Sequence, residues 1–216
     1  MPRNVPRVKI DVGFPTGYER RLPPAALVVL RERRRRLLGR PTGRVLDLGG
    51  CEAHVPLLSS SAATSIVVLT TPEERGARLR RRAADAPIEV DVRDATIDEL
   101  ADAGERFDTV VSVLQLSLDD DLEAGMRTIG RLISPDGVLL FLEPTTERGL
   151  TARVQHLLGP ATRLTTGRRP DRNLTGSARA GGLLVTDCER LTMPTLWPFR
   201  AFVEGVARLP IAARAR

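Results

Sequence analysis

Short apolar runs alternate with amphipathic stretches along the middle of the chain. The runs are rich in Val, Ile and Leu, which is typical of strands buried on both faces of a sheet. Strands that alternate with helices indicate a parallel sheet with helices on both faces. The pattern predicts strands over 44–48, 65–70, 88–92, 107–114 and 137–142, and helices over 25–38, 54–62, 73–85, 97–103 and 120–133.

Two of these helices have clear ends or faces. In 120–133, Asp119–Asp121 supply a cap that complements the helix dipole, and Leu122, Met126, Ile129 and Ile133 fall on one stripe.

The helix over 25–38 follows Pro23-Pro24 and precedes Gly39. Its leucines at 27, 30, 37 and 38 form an apolar face. We expect most of the remaining helix surface to face solvent, because it contains the run Arg33–Arg36.

The final third of the chain has a different pattern. A predicted helix over 147–158 is followed by the polar stretch 165–177 and by two strand-like runs, 183–192 and 199–207. The second connection, through Pro194 and Trp197-Pro198, is short, so these two strands must pair antiparallel. The predicted fold class is therefore α/β, with a seven-stranded, mostly parallel sheet that ends in an antiparallel C-terminal hairpin.

The composition is that of one ordinary globular domain. The chain has 216 residues, of which 42% are hydrophobic and 28% charged. No apolar run is long enough to span a bilayer, and the first residues lack the apolar core of a signal peptide. Two cysteines far apart do not make a disulfide framework, so we expect a cytoplasmic protein.

The charge is unevenly distributed. Residues 1–44 carry a net +9, 45–146 a net −10 and 147–216 a net +7, which gives +6 overall. Flanks this basic could bind RNA, an anionic lipid surface or an anionic substrate, or they could pack on the acidic middle of the chain. No aromatic stacking platform accompanies the arginines, so we do not expect nucleic acid to be the partner.

Residues 44–53, Arg-Val-Leu-Asp-Leu-Gly-Gly-Cys-Glu-Ala, are the most informative stretch. Val45, Leu46 and Leu48 form a buried strand interrupted by Asp47, and Gly49-Gly50 then ends it. A strand that runs into glycines and then a helix brings backbone N–H groups up to a nucleotide-like ligand.

This stretch resembles the first motif of the class I S-adenosylmethionine-dependent methyltransferases, Leu-Asp-Leu-Gly followed by a Gly-x-Gly-type loop. Cys51 and Ala53 stand where that family has its second and third loop glycines, so we expect both to restrict the loop backbone. The resemblance implies a Rossmann-like methyltransferase domain over 44–216, with 1–43 as a basic arm and helix that cover the cleft. The whole would be a single structural domain.

The resemblance also implies a set of cofactor-binding residues for S-adenosylmethionine. The family places an acidic residue at the end of the second strand, where it binds both ribose hydroxyls. Here Thr70-Thr71-Pro72 falls at that position, so either Thr71 makes one weaker bond, or Glu73 reaches back, or the segment is only a helix N-cap. The implied residues are Asp47, Gly49, Gly50, Cys51, Thr71, Asp94, Ala95, Ser112 and Val113, with Asp94 facing the adenine amine.

Two further segments, 107–114 and 132–144, are similar to the small-molecule methyltransferases of ubiquinone and menaquinone biosynthesis. Glu143 ends the fifth strand, so we expect it to point into the ligand crevice. In 132–144, Pro135-Asp136-Gly137 is expected to form a turn that ends a helix and begins a strand.

The remaining candidates are single residues. His54 begins a helix beside the glycine loop and either contacts a ligand or belongs to the core, and neither histidine has a metal-ligand neighbour. Cys51 could be a thiol activated by a helix N-terminus, but no base accompanies it, which favours a plain loop residue. The candidates for an apolar substrate pocket are Phe14, Tyr18, Trp197 and Phe199, although core packing explains the last two equally well.

Two hypotheses of function follow. In the first, the protein is a methyltransferase acting on a small molecule, with no dedicated catalytic residue that can be named. In the second, the fold is retained for binding or assembly, because the loop without its glycines and the missing ribose carboxylate weaken cofactor binding.

Overall fold

The seven predicted strands are β1 (Thr42–Asp47), β2 (Ala62–Leu69), β3 (Glu89–Arg93), β4 (Phe107–Val113), β5 (Ile133–Pro144), β6 (Leu184–Thr192) and β7 (Ala201–Arg208). They form one sheet in the order β3-β2-β1-β4-β5-β7-β6. The computed structural model describes residues 22–210 apart from 51, 71–72, 167–168, 170–171 and 196, with the backbone alone at 73–75 and 163–166. Strands β1 to β5 are parallel, whereas β7 pairs antiparallel with both β5 and β6. The predicted mixed sheet with a C-terminal hairpin is confirmed.

Helices fill the connections between strands and cover both faces of the sheet. They are α1 (Pro24–Leu38), α2 (His54–Ser59), α3 (Glu73–Ala84), α4 (Ile97–Asp102), α5 (Leu122–Leu132), α6 (Gly149–Thr166) and α7 (Leu174–Ala180), with a 3-10 turn at Leu116–Leu118. Asp121 caps α5 as expected, because its side chain accepts the N–H of Ala124 at 3.0 Å.

Two hydrophobic clusters pack the two faces. Adjacent residues of a strand contribute to opposite clusters, as Val45 and Leu46 do in β1. The cluster around Leu46 contains the buried residues of α4, α5 and α7, and the cluster around Val45 contains those of α1, α2 and α3. The near-continuous apolar runs of the sequence thus reflect strands buried on both sides.

Three local predictions need correction. Strand β5 begins at Ile133, directly after α5, and Pro135-Asp136 lie within an irregular part of its pairing with β4, so the expected turn does not separate helix and strand. Helix α6 continues past 158 to Thr166. Part of the polar stretch 165–177 forms α7, whose first turn is capped by the side chain of Asn173.

The arginine run of α1 is less exposed than expected. Arg34 is buried. Arg33 makes a bidentate ion pair with Glu189 of β6, at 2.6 and 2.9 Å, and a longer contact with Glu204. Helix α1 packs on the sheet through Leu30, Leu37 and Leu38, whereas the arm 1–21 lies outside the described residues.

The parallel strands give the sheet two ends with different surroundings. We call the end where β1 to β5 finish the carboxyl end, and the end where they begin the amino end. In an open α/β sheet, ligands bind at the carboxyl end, where neighbouring strands send their connections to opposite faces. Here that point lies between β1 and β4, because β1 continues to β2 on one side and β4 to β5 on the other.

Candidate functional site

The loop after β1 is organised by the buried carboxylate of Asp47. One oxygen accepts the N–H of Gly49 at 2.8 Å, and the other lies 2.9 Å from Nδ1 of His54. Both side chains are fully or almost fully buried. Asp47 and His54 therefore join the end of β1 to the start of α2, and this pairing gives His54 a structural contact that its position in the sequence did not reveal.

Gly50 needs to be a glycine because of its backbone and its surroundings. Its φ of +51° lies in the left-handed region, and a Cβ there would lie 2.5 Å from the carbonyl oxygen of Leu69. A Cβ at Gly49 would lie 2.9 Å from the ring of His54. The missing side chains let this loop approach the end of β2 closely.

The expectation that Ala53 restricts the loop is wrong. Ala53 precedes α2 with φ −74° and ψ −16°, a right-handed helical conformation that alanine adopts without strain. A glycine at this position would relieve nothing. Cys51 lies outside the described residues, so the expectation for it stays a prediction.

At the end of β2, Thr70 occupies a buried position. Its N–H donates to the carbonyl of Arg93 at 2.9 Å, and its hydroxyl has no hydrogen-bond partner within the described part of the chain. Thr71 and Pro72 lie outside the described residues, and the backbone of Glu73 begins α3. The three alternatives for this segment therefore remain open.

Asp94 and Ala95 follow β3 at the same end of the sheet. Asp94 is exposed, whereas Ala95 is half-buried and packs against the cluster around Leu46. Thr96 and Glu99 form a capping box that starts α4 immediately afterwards. The cap fixes the start of α4, and the carboxylate of Asp94 lies at the surface.

The expectation that Glu143 points into the ligand crevice is wrong. Glu143 is fully buried and accepts the Ser112 hydroxyl at 2.7 Å. Its carboxylate also accepts the N–H groups of Gln115, Leu116 and Ser117 at 2.7, 3.1 and 3.3 Å. Glu143 thus fixes the loop after β4, and the hydroxyl of Ser112 is turned toward it. Val113 is the buried last residue of β4.

That loop contains two features that sequence reasoning missed. Leu114 has a φ of +61°, and its N–H donates to the carbonyl of Leu142 at 3.0 Å. Gln115 is fully buried, and neither polar atom of its amide has a hydrogen-bond partner among the described residues. The available signal was a polar residue between two leucines in an otherwise apolar segment.

Asp119, further along the same loop, carries a buried carboxyl group. One oxygen accepts the N–H of Asp121 at 2.9 Å, while the other has no hydrogen-bond partner in the described ranges. Burial raises the pKa of Asp119 to about 7, although the Asp121 N–H and the charge of Arg172 favour the ionised form. The sequence prediction used this residue only as part of a helix cap.

The aromatic candidates divide between described and undescribed residues. Trp197 and Phe199 lie between β6 and β7, which is the carboxyl end because Phe202 pairs with Pro144. The Trp197 side chain is 59% exposed and Phe199 is half-buried. Phe14 and Tyr18 lie outside the described residues. Within the described ranges no three His, Cys, Asp or Glu residues are grouped as metal ligands, and no helix is long and apolar enough to cross a bilayer.

Comparison with known proteins identifies the fold. The family described as a methyltransferase domain matches residues 45–137. A ubiquinone biosynthesis O-methyltransferase of Rhizobium leguminosarum bv. trifolii is 35% identical over 99 residues, which cover 44% of this chain and 38% of that protein. The chain therefore spans well under half the length of the curated relatives it matches.

Solved structures extend the similarity beyond the matched segment. The cyclase SpnF superimposes with a TM-score of 0.65 at 16% identity, covering 85% of this chain and 80% of the other. An S-adenosylmethionine-dependent methyltransferase of Clostridium acetobutylicum gives a TM-score of 0.59 at 10% identity, covering 85% and 91%. At these identities the likeness concerns the fold.

Proposed function

We propose that the chain is a class I S-adenosylmethionine-dependent methyltransferase that transfers a methyl group to a small molecule, as its match to a methyltransferase domain and its sheet order support. The observation that supports this most directly is the glycine loop at the carboxyl end of β1. Gly50 can have no side chain there, because the loop lies against Leu69. Such a loop suits close backbone approach to a nucleoside ligand.

The residues at this end of the sheet suit S-adenosylmethionine. In our proposal the cofactor-binding set is the one that the sequence indicates, at Asp47, Gly49, Gly50, Cys51, Thr71, Asp94, Ala95, Ser112 and Val113. Gly49 and Gly50 present backbone groups, and Asp94 offers an exposed carboxylate to the adenine amine. Asp47 acts indirectly, since its carboxylate is engaged by Gly49 and His54.

The bound cofactor would supply an activated methyl group on a sulfonium, which a nucleophilic atom of the acceptor takes while a neutral thioether is left. The protein then has to position the acceptor and exclude water. The similarity to O-methyltransferases favours an oxygen atom as the acceptor.

The proposal covers partners and location as well. Arg33 of the basic N-terminal region pairs with Glu189, which supports charge neutralisation within the chain over nucleic-acid binding. We accordingly propose a small-molecule substrate, no nucleic-acid partner and a cytoplasmic location.

A second function is favoured by one observation. Thr70 is the last described residue before α3, and its side chain is buried and uncharged. It belongs to the segment after β2 in which the family has a carboxylate that binds the ribose hydroxyls. A protein with this fold and weakened cofactor binding would serve in binding or assembly, and a cofactor titration separates the two functions.

The test is calorimetric titration of the wild type with S-adenosylmethionine and S-adenosylhomocysteine, repeated on Gly50→Ala. We expect at least a tenfold, or about 1.4 kcal/mol, loss of affinity in the variant, because the new Cβ meets the Leu69 carbonyl and forces the loop to move. A left-handed alanine also costs about 1 kcal/mol of folding stability.

Gly104→Ala is the matched control. Gly104 also has a positive φ of +74°, but a Cβ there meets nothing within 4 Å, and it lies before β4 at the amino end. We expect the same backbone strain with cofactor affinity unchanged. No binding by the wild type at millimolar cofactor would reject the methyltransferase proposal in favour of the binding function.

A further inference from the structure

The backbone takes an unusual path where β4 ends. Leu114 adopts a left-handed conformation that a leucine rarely occupies, and it is held there by its bond to Leu142. The carboxylate of Glu143 then fixes the next three N–H groups. Strained backbone that its surroundings hold in place is concentrated at functional sites.

This path places Gln115 directly beyond the end of the central strand. Strand β4 neighbours β1, and the N–H of Leu48 donates to the carbonyl of Val111 at 3.0 Å. Gln115 therefore lies just beyond the carboxyl end of β4, with its backbone N–H bonded to Glu143 of β5, at the end of the sheet where folds of this kind bind ligands. It follows the strand next to the glycine loop, two residues after Val113 of the proposed cofactor-binding set.

The amide of Gln115 is buried without compensation. Neither Nε2 nor Oε1 has a hydrogen-bond partner in the described part of the chain, although the residue is fully buried. Buried polar groups almost always have hydrogen-bond partners. A buried donor and a buried acceptor of one side chain that both lack partners therefore need an explanation. A ligand that supplies both missing bonds provides one.

The surroundings define what that ligand can be. A primary amide offers an NH2 group as donor and a carbonyl oxygen as acceptor side by side, and it carries no charge. The Glu143 carboxylate accepts the backbone N–H of Gln115 at 2.7 Å. Its negative charge disfavours an anionic ligand nearby. A hydroxyl group both donates and accepts, and it is neutral.

We propose that Gln115 binds the methyl acceptor through its side-chain amide, and that the acceptor is a neutral molecule bearing a hydroxyl group. This assignment rests on the proposed methyltransferase function, and it names the acceptor side of the same site. It gives Gln115 a role in choosing the substrate, separate from cofactor binding at the glycine loop.

The first experiment measures thermal unfolding of Gln115→Met without ligands. Methionine has nearly the same shape and no unpaired amide, so we expect the Tm to rise by about 2–4 °C. The matched control is Gln155→Met. Gln155 is also fully buried, and its Nε2 has no partner among the described residues either, but its Oε1 accepts the N–H of Glu147 at 2.6 Å. Its replacement leaves that N–H unpaired and therefore lowers the Tm.

The second experiment measures binding of phenol and of anisole to the protein loaded with S-adenosylhomocysteine, by ligand-observed NMR. Anisole keeps the ring and lacks the hydroxyl donor. We expect the wild type to prefer phenol about fivefold or more, and Gln115→Met to lose that preference. The affinity for S-adenosylhomocysteine stays within twofold in this variant, and Gln155→Met retains the preference for phenol.

These outcomes separate the inference from the proposed function. A wild type that binds S-adenosylhomocysteine but does not distinguish phenol from anisole overturns the role of Gln115, as does a Tm that falls in Gln115→Met. Failure of the wild type to bind either cofactor form rejects the methyltransferase function itself, whatever the Tm of the variants.

Discussion

The amino end and the carboxyl end of the sheet differ in how their polar side chains are paired. At the amino end, Asp108 accepts the N–H of Arg44 at 2.8 Å, and the Thr109 hydroxyl both accepts the N–H and donates to the carbonyl of Thr42, at 3.1 and 2.9 Å. Glu105 pairs with Arg44 there, and it also reaches Arg93, the last residue of β3. Polar side chains at this end are mostly paired, although the Ser59 hydroxyl lacks a partner in the described ranges.

At the carboxyl end, buried polar atoms without partners accumulate within the described residues, at Thr70, Gln115, Asp119 and Gln155. The strained Leu114 lies there too. Each unpaired group lowers the stability of the fold by about 1–3 kcal/mol. Such groups are tolerated where a ligand is expected to meet them, so the difference indicates that one end serves stability and the other serves binding.

We expect the largest change in stability from Glu143, which pairs several buried groups at the carboxyl end. Glu143→Leu removes the acceptor of one hydroxyl and three N–H groups. We expect a loss of about 3–5 kcal/mol of unfolding free energy, measured by denaturant titration, because these donors stay buried. Glu143→Gln keeps one acceptor oxygen and should lose less. A loss below about 1 kcal/mol in Glu143→Leu would show that the carboxylate does not hold the loop.

Asp119 predicts a pH dependence of stability. Its folded pKa of about 7 lies above the ordinary 3.8, so the folded state holds its proton more strongly than the unfolded chain. The stabilisation is complete below about pH 4 and is lost as the pH rises through 7.

Asp119→Asn should remove this dependence, because asparagine stays neutral and keeps the acceptor for the Asp121 N–H. At pH 8 we expect the variant to be more stable than the wild type by on the order of 2 kcal/mol, with little difference at pH 4. Denaturant titrations across that range measure the effect, with the exposed Asp120→Asn as control. Parallel profiles for the wild type and Asp119→Asn would contradict the prediction.

The smallest expected effect is a difference in sign between the stability changes that substitution of two threonines causes. Thr109→Val, at the amino end, leaves the N–H and the carbonyl of Thr42 unpaired and should destabilise the fold by about 1–2 kcal/mol. Thr70→Val, at the carboxyl end, removes a buried hydroxyl that has no partner in the described part and should be neutral or stabilising by up to about 1 kcal/mol.

Denaturant titration of both variants measures the two changes in unfolding free energy. Cofactor titration then measures their effect on binding. Thr109→Val should leave cofactor affinity unchanged. Equal destabilisation by the two substitutions would remove the distinction between the ends of the sheet.

The fold was predictable because its signals are local. The apolar runs, the cap at Asp121 and the short connection through Pro194 each depend on neighbouring residues, and the structure contains the elements they indicate. Helix α7 escaped prediction because its seven residues are largely polar or small, and it depends on the Asn173 cap and on burial of Leu174 and Ala178.

The candidate site was less predictable because its contacts are distant in sequence. Glu143 reaches groups 26 to 31 residues away, and nothing near it in the chain indicates that its carboxylate is already engaged. Ala53 was misjudged for a related reason, since a glycine in a family motif does not reveal the φ that a given chain adopts at that position.

Local patterns along the chain were enough to predict the α/β class, the order of strands and helices, and the end of the sheet where a ligand would bind, because hydrophobic periodicity and turn chemistry act over a few residues. Which polar side chains at that end have hydrogen-bond partners became visible only in the folded chain. Asp47 and Glu143 are engaged, whereas Gln115 and one oxygen of Asp119 have no partner among the described residues. Hydrogen-bond pairing and burial depend on groups that folding brings together from separate elements, so no local pattern can encode them.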